Sequence, residues 1–218
     1  MAHKIMKRKF LKLIAAPLHE KLNMFTVVWQ RFLTWLFYKP VFHSVGKRSA
    51  IIKPMMIGNA LRIKIGSGVL IRDGGRLEAV GDAKSGPVLL SIEDGVCIEQ
   101  RVHITAASNL IIGRNTTISA NVYISDIDHE YEQIGVHILA QPLKVARTLI
   151  GENCFIGLGV SILGGTILGK QCIVGTHSVV RGVFPDYCVL VGAPARIVKR
   201  YNVEREQWLK TDSKGNFL

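Results

Sequence analysis

Ile150-Gly151-Glu152-Asn153-Cys154-Phe155, Ile156-Gly157-Leu158-Gly159-Val160-Ser161, Ile162-Leu163-Gly164-Gly165-Thr166-Ile167, Leu168-Gly169-Lys170-Gln171-Cys172-Ile173 and Val174-Gly175-Thr176-His177-Ser178-Val179 follow one another without a break. An aliphatic residue heads every unit and recurs at Val180, and glycine follows it at 151, 157, 169 and 175. The fifth position is small or β-branched throughout: Cys154, Val160, Thr166, Cys172 and Ser178. A six-residue period matches neither an α-helical stripe nor the alternation of a simple hairpin. It suits short strands joined by tight corners, with the aliphatic side chain inward and glycine expected where the backbone turns. Three units close one triangular turn, so positions 18 apart stack on neighbouring parallel strands about 4.7–4.9 Å apart. Ile150 should lie against Leu168, Ile156 against Val174 and Ile162 against Val180.

Working outward, the phase reappears at Ile92, Ile98 and Ile104 and, after a two-residue insertion, at Ile112, Ile118 and Ile124. Looser matches, such as Ile57-Gly58 and Ile65-Gly66, lie earlier. Repetition on this scale marks a solenoid. The expected fold is all-β, a parallel β-helix over residues 45–198 with a loop insertion at 125–148. A solenoid exposes unpaired backbone at its ends and needs caps. A basic, partly helical arm at 1–44 (helical from Met24 to Phe37) is expected at one end. At the other, the tail 199–218 should contain a short helix over Val203 to Lys210, with Trp208 packed back onto the coil.

The formal net charge is +12, yet residues 1–48 hold ten Lys/Arg against Glu20 alone, so the basic signal belongs to the arm. The nearly neutral body lacks the interleaved basic and aromatic residues of a nucleic-acid surface, and no nucleic-acid partner is expected. The four cysteines, 97, 154, 172 and 188, form no C-x-x-C pair, and Cys154 and Cys172 occupy equivalent places in the repeat, which suits core thiols. Leu22 to Tyr38 is interrupted by Gln30-Arg31, a poor transmembrane span, and no signal peptide is visible. A cytoplasmic location, in peripheral contact with the inner face of a membrane, is expected. Phe25, Trp29, Phe32 and Leu36 share one helical face. That face either caps the coil or, beside Lys4, Lys7, Arg8, Lys9 and Lys12, meets an anionic headgroup layer, and the two roles can coexist.

These hexads, with Val191-Gly192-Ala193-Pro194-Ala195-Arg196-Ile197-Val198-Lys199, resemble the hexapeptide-repeat acyltransferases. Ser125-Asp126-Ile127-Asp128-His129, Gln141-Pro142 and Lys199-Arg200-Tyr201 are most similar to the sugar O-acetyltransferases of lipopolysaccharide and exopolysaccharide synthesis. The resemblance covers residues 45 to 208. It implies a left-handed winding, a homotrimer, acetyl-CoA as acyl donor with no metal required, and a sugar or glycan hydroxyl as acceptor. It places His129, in the interruption between Ile124 and Leu149, at the position of the catalytic histidine. Imidazole suits a general base because it titrates near neutrality. Asp126 or Asp128 would orient that ring or bind the sugar, or both are solvated turn residues. Glu99, one layer below, faces the acceptor or is an outward-facing solenoid charge. For the donor, the resemblance implies Leu158 and Thr176 near the thioester arm, with Arg181 and Lys199 near the phosphates. Leu158 is larger than the small residue usual at its place. Arg196 and Lys199 read equally well as solvated charges.

N-acetylation of an amino or nucleotide sugar is the alternative, since it uses the same donor. A non-catalytic solenoid is a further class, because fold does not dictate function. A three-histidine zinc site of the carbonic anhydrase kind needs ligands five residues apart, and histidines 3, 19, 43, 103, 129, 137 and 177 offer no such pair.

Overall fold

The computed structural model describes residues 17–81, 86–212 and 214–218. The basic cluster from Lys4 to Lys12 lies outside them. Among the described residues the strands form three parallel faces and one small antiparallel hairpin. A seven-stranded face runs from Ser44–Val45 to Val183–Phe184, and a six-stranded face from Met56–Gly58 to Val179–Val180. The third face, of nine strands, begins at Ala50–Ile51 and ends in the C-terminal segment. The expected registers hold: Ile150 pairs with Leu168, Ile156 with Val174 and Ile162 with Val180. All six of these side chains are fully buried.

The glycines of the hexads have a different reason from the one their spacing suggests. Gly151, Gly157, Gly169 and Gly175 have ordinary φ values, and the left-handed residues come two places later. These are Asn153 (φ 58°), Gly159 (67°), Gly165 (83°), Gln171 (49°) and His177 (56°), again in steps of six. What the hexad glycine supplies is close approach. A Cβ on Gly157 would sit 2.7 Å from the Val174 carbonyl oxygen of the next coil. The fifth-position side chains Cys154, Val160, Thr166, Cys172 and Ser178 are buried beside the aliphatic stack.

The earlier coils are longer than the late ones. Ile51 pairs with Ile71 and Ile57 with Leu77, twenty positions apart, while Ile65 pairs with Ile92, 27 positions on. The coil absorbs extra residues at corners without disturbing the inward stack.

The N-terminal cap is a helix over Leu18–Leu33 followed by a π turn, Thr34–Tyr38, longer toward the N-terminus than the periodicity predicts. It meets the first coil through a defined contact: the Thr34 hydroxyl accepts a 2.9 Å hydrogen bond from the Ile51 amide. Phe42 enters the core and Tyr38 packs edge-on against it. The C-terminal helix expected over Val203 to Lys210 is absent. The chain reverses after Gly192, and Ala195–Asn202 and Gln207–Lys210 add two antiparallel strands to the nine-stranded face. The open edge of Cys188–Gly192 supplies backbone partners that outweigh the weak helical preference of the tail. Trp208 lies on the last of these strands, exposed, with its ring edge-on at 5.7 Å to Tyr201 of the adjacent tail strand.

Candidate active site

His129 ends a short strand, Ile127–His129, which pairs antiparallel with Leu143–Val145. This hairpin leaves the coil where the six-stranded face turns into the seven-stranded one, between Tyr123–Ser125 and Leu149–Ile150. Its imidazole is exposed. Beyond it the loop is organised by Gln141, whose amide donates to the Gln133 and Val136 carbonyls and accepts from the Gln133 amide.

Asp126 is fully buried, and its carboxylate is committed to the backbone. It accepts from the Ala107 amide at 2.7 Å, the Ser108 amide at 2.8 Å and the Ser108 hydroxyl at 2.9 Å. These bonds tie the root of the hairpin to the preceding coil and leave the carboxylate facing neither solvent nor His129. Asp128 instead forms a 2.6 Å ion pair with Arg181, which lies 53 positions later at the same corner. Arg181 therefore braces the hairpin.

His129 and Leu143 border a hollow of about 270 Å³ on the outer surface of the six-stranded face. Its floor is a column of outward side chains stacked by the registers Arg76–His103–Tyr123 and Glu78–Thr105–Ser125. Arg76 pairs with Glu78. His103 Nε2 lies 2.9 Å from the Thr105 hydroxyl, and the ring meets Tyr123 edge-on at 5.3 Å. Burial, then the Arg76 charge, holds the His103 imidazole below its ordinary value near 6.5, with Glu78 opposing them. The neutral form of His103 is thus favoured at pH 7. The spacing of the sequence does not single out Arg76, Glu78, His103 or Tyr123. Glu99 is not among the residues lining this hollow: it belongs to the nine-stranded face and pairs with Arg72 at 2.9 Å.

The residues assigned to the donor fall in three places. Leu158 and Thr176 are exposed on the corner between the nine- and six-stranded faces, on successive coils. His129 stands on the next corner, with the six-stranded face between. Arg181 and Arg196, by contrast, line one cavity of about 480 Å³ with Lys214, a third cation the repeat pattern does not flag. Lys199 is exposed on the strand between Val189 and Lys210 and does not line that cavity. A larger hollow of about 570 Å³, lined by Glu93, Arg114, Glu152 and Lys170, lies apart from His129, and its charges already pair as Arg114–Glu93 and Lys170–Glu152. Among the described residues no three His, Cys, Asp or Glu side chains are grouped to hold a metal ion.

Residues 147–182 match the family model "Bacterial transferase hexapeptide (six repeats)". The chain is 34% identical over 164 residues to the "Putative lipopolysaccharide biosynthesis O-acetyl transferase WbbJ" of Escherichia coli K12, covering 72% of this chain and 81% of that one. The chain belongs to the hexapeptide-repeat acyltransferases. Solved members of similar fold include AntD, an N-acyltransferase from Bacillus cereus crystallised with dTDP-4-amino-4,6-dideoxyglucose and coenzyme A. It superposes with a TM-score of 0.66 at 19% identity, over 79% of this chain and 90% of that one. VCA0836, a hexapeptide-repeat acetyltransferase of Vibrio cholerae, superposes with a TM-score of 0.55 at 17% identity, over 79% and 81% of the two chains. At these identities the superpositions speak for the shared architecture of this acyltransferase family.

Proposed function

We propose that this acyltransferase moves an acetyl group from acetyl-CoA to a sugar hydroxyl in cell-surface polysaccharide synthesis, on a left-handed coil, with His129 as general base. The observation that carries this reading is the exposed His129 imidazole on a braced hairpin at the mouth of a hollow that sets Arg76, Glu78, His103 and Tyr123 beside the apolar Val80, Ile127 and Leu143. A sugar presents hydroxyls and a flat apolar face, which the Arg76–Glu78 pair, neutral His103 and Tyr123 can receive. His129 takes the proton of the attacking hydroxyl as its oxygen bonds to the thioester carbonyl carbon. As the carbon–sulfur bond breaks, the imidazolium returns that proton to the departing thiolate, so no metal and no acyl-enzyme is required. With Arg181 held by Asp128, Arg196 and Lys214 give the adjoining cavity the charge to receive phosphates of the donor.

The placement of Leu158 and Thr176 one corner away from His129 supports a site closed between two chains. A second copy setting its thioester-binding corner against this hairpin would complete it, and a cyclic trimer supplies that contact three times. The exposed loop tip, with Tyr131, Leu139 and a 96%-exposed Ile134, supports such a neighbour.

The test is thiol release from acetyl-CoA with a panel of hydroxyl- and amine-bearing glycans, with products weighed by mass spectrometry. His129→Ala should lower kcat by about 10²–10⁴-fold while leaving donor affinity unchanged. Wild-type turnover at pH 7 in that variant would remove His129 from the role and turn attention to His103. The alternative, N-acetylation of an amino or nucleotide sugar, is supported by AntD, an N-acyltransferase that binds a dTDP-linked amino sugar. Transfer to amines alone would establish it.

A further inference from the structure

The N-terminal helix uses its less apolar side against the protein. Val27, Gln30, Leu33 and Tyr38 are half-buried and Thr34 is buried, so this face seals the first coil. The opposite face carries Leu18, Leu22, Phe25, Trp29, Phe32 and Leu36, at alternating steps of four and three, and every one is exposed. Phe25 is 66% exposed and Trp29 48%, and beside them stand Trp35 at 60% and Phe37 at 61%. Aromatic and aliphatic surface of this extent, on a helix already anchored elsewhere, calls for an occupant.

Charge selects among occupants. Lys21, Arg31 and Lys39 are exposed on the same segment, Arg31 on the side toward Ile52 and Asp73, and the sequence of residues 1–48 has ten Lys/Arg against one acid. A second copy would bring an equal positive charge against this one, which disfavours a symmetric contact. The coil itself is already met by the other side of the helix. No helix among the described residues is long and apolar enough to cross a bilayer. We propose that this face lies in the headgroup layer of an anionic lipid surface, with Phe25, Trp29, Phe32 and Trp35 at the acyl boundary and the basic residues among the lipid phosphates. Basic side chains and aromatics combined on an amphipathic helix have this preference. The enzyme is thereby held beside lipid-anchored acceptors. The binding itself is independent of the acetyl-transfer reading and is measured without catalysis.

The full chain is sedimented with vesicles of phosphatidylcholine alone or with about 30 mol% phosphatidylglycerol, at about 0.05 M and about 0.5 M salt, where screening differs strongly. Binding to anionic vesicles at low salt should exceed that to neutral ones by at least about tenfold and fall at high salt. Vesicles brominated in the acyl chains should quench tryptophan emission, and a Trp208→Phe variant should be quenched as strongly. A triple variant, Leu22→Ser, Phe25→Ser and Phe32→Ser, changes only exposed positions. It should keep the wild-type melting curve and lose vesicle binding. Binding that ignores lipid charge and salt overturns the proposal, as does binding unaffected by the triple variant. So does failure to bind vesicles, and if the triple variant then sediments as a smaller species, a second copy covers the face.

Discussion

His103 shows how a single side chain can report on its surroundings through pH. Its folded value is depressed by burial and by Arg76, so between that value and about 6.5 the unfolded chain holds more protons than the folded one. Stability therefore rises with pH in this window: the contribution is fully present above about 6.5 and is lost as the pH falls through the folded value. Chemical denaturation at a series of pH values should show the wild type weakening on acidification below about 6.5, and His103→Gln weakening less. An identical pH profile for the two proteins would mean that the imidazole titrates normally. This residue was not legible in the sequence, for a definite reason. Arg76, His103 and Tyr123 meet through spacings of 27 and then twenty positions, and a reading that relies on a fixed period of 18 passes over them. His129 was legible because its context is local and contiguous.

The hairpin that carries His129 is held from two sides by opposite chemistry. Asp126 fixes its root through buried backbone hydrogen bonds, whereas Asp128 ties its end to Arg181 through an ion pair open to solvent. An exposed pair is worth about 0–1 kcal/mol to global stability, yet it restrains where His129 points. Arg181→Gln should therefore leave the melting temperature within a few degrees and lower kcat by about tenfold, because small misplacements of a reacting group are costly. The charge swap Asp128→Arg with Arg181→Asp should restore part of the turnover. If Arg181→Gln instead raises KM for acetyl-CoA with kcat unchanged, the guanidinium serves the donor phosphates. The elements themselves were unequally readable. The late hexads announce each strand and each inward side chain, but the tail after Gly192 does not. Val203 to Lys210 has a plausible helical pattern, and only the open strand edge beside it decides otherwise.

At the scale of the whole molecule, the separation of His129 from Leu158 and Thr176 allows the proposed trimer to be tested by complementation. His129→Ala removes the base from one corner, and Thr176→Trp blocks the neighbouring one. Each variant alone should keep about 1% of wild-type activity or less. Unfolded together and reassembled, they should regain a measurable fraction of wild-type activity, since some interfaces then unite an intact hairpin with an intact thioester corner. Activity that stays absent, in mixtures shown by mass to contain hybrids, would place the whole site within one chain.

The two strands that close the C-terminal end have a consequence for solubility. A β-solenoid is a one-dimensional stack in which each rung is a template for the next, and nothing in its interior limits its length. Here the antiparallel return of Ala195–Asn202 and Gln207–Lys210 ends the repeating parallel pattern and places Trp208 and Lys210 on the last strand. A chain cut after Gly192 would present the bare edge of Cys188–Gly192, with Leu190 fully buried in the intact protein. Such an edge recruits other strands. The truncated protein should grow into filaments whose rate of elongation rises with concentration, visible by light scattering and electron microscopy, while the full chain stays at a fixed size. The tail would then act as a polymerisation terminator, removable by a single proteolytic cut.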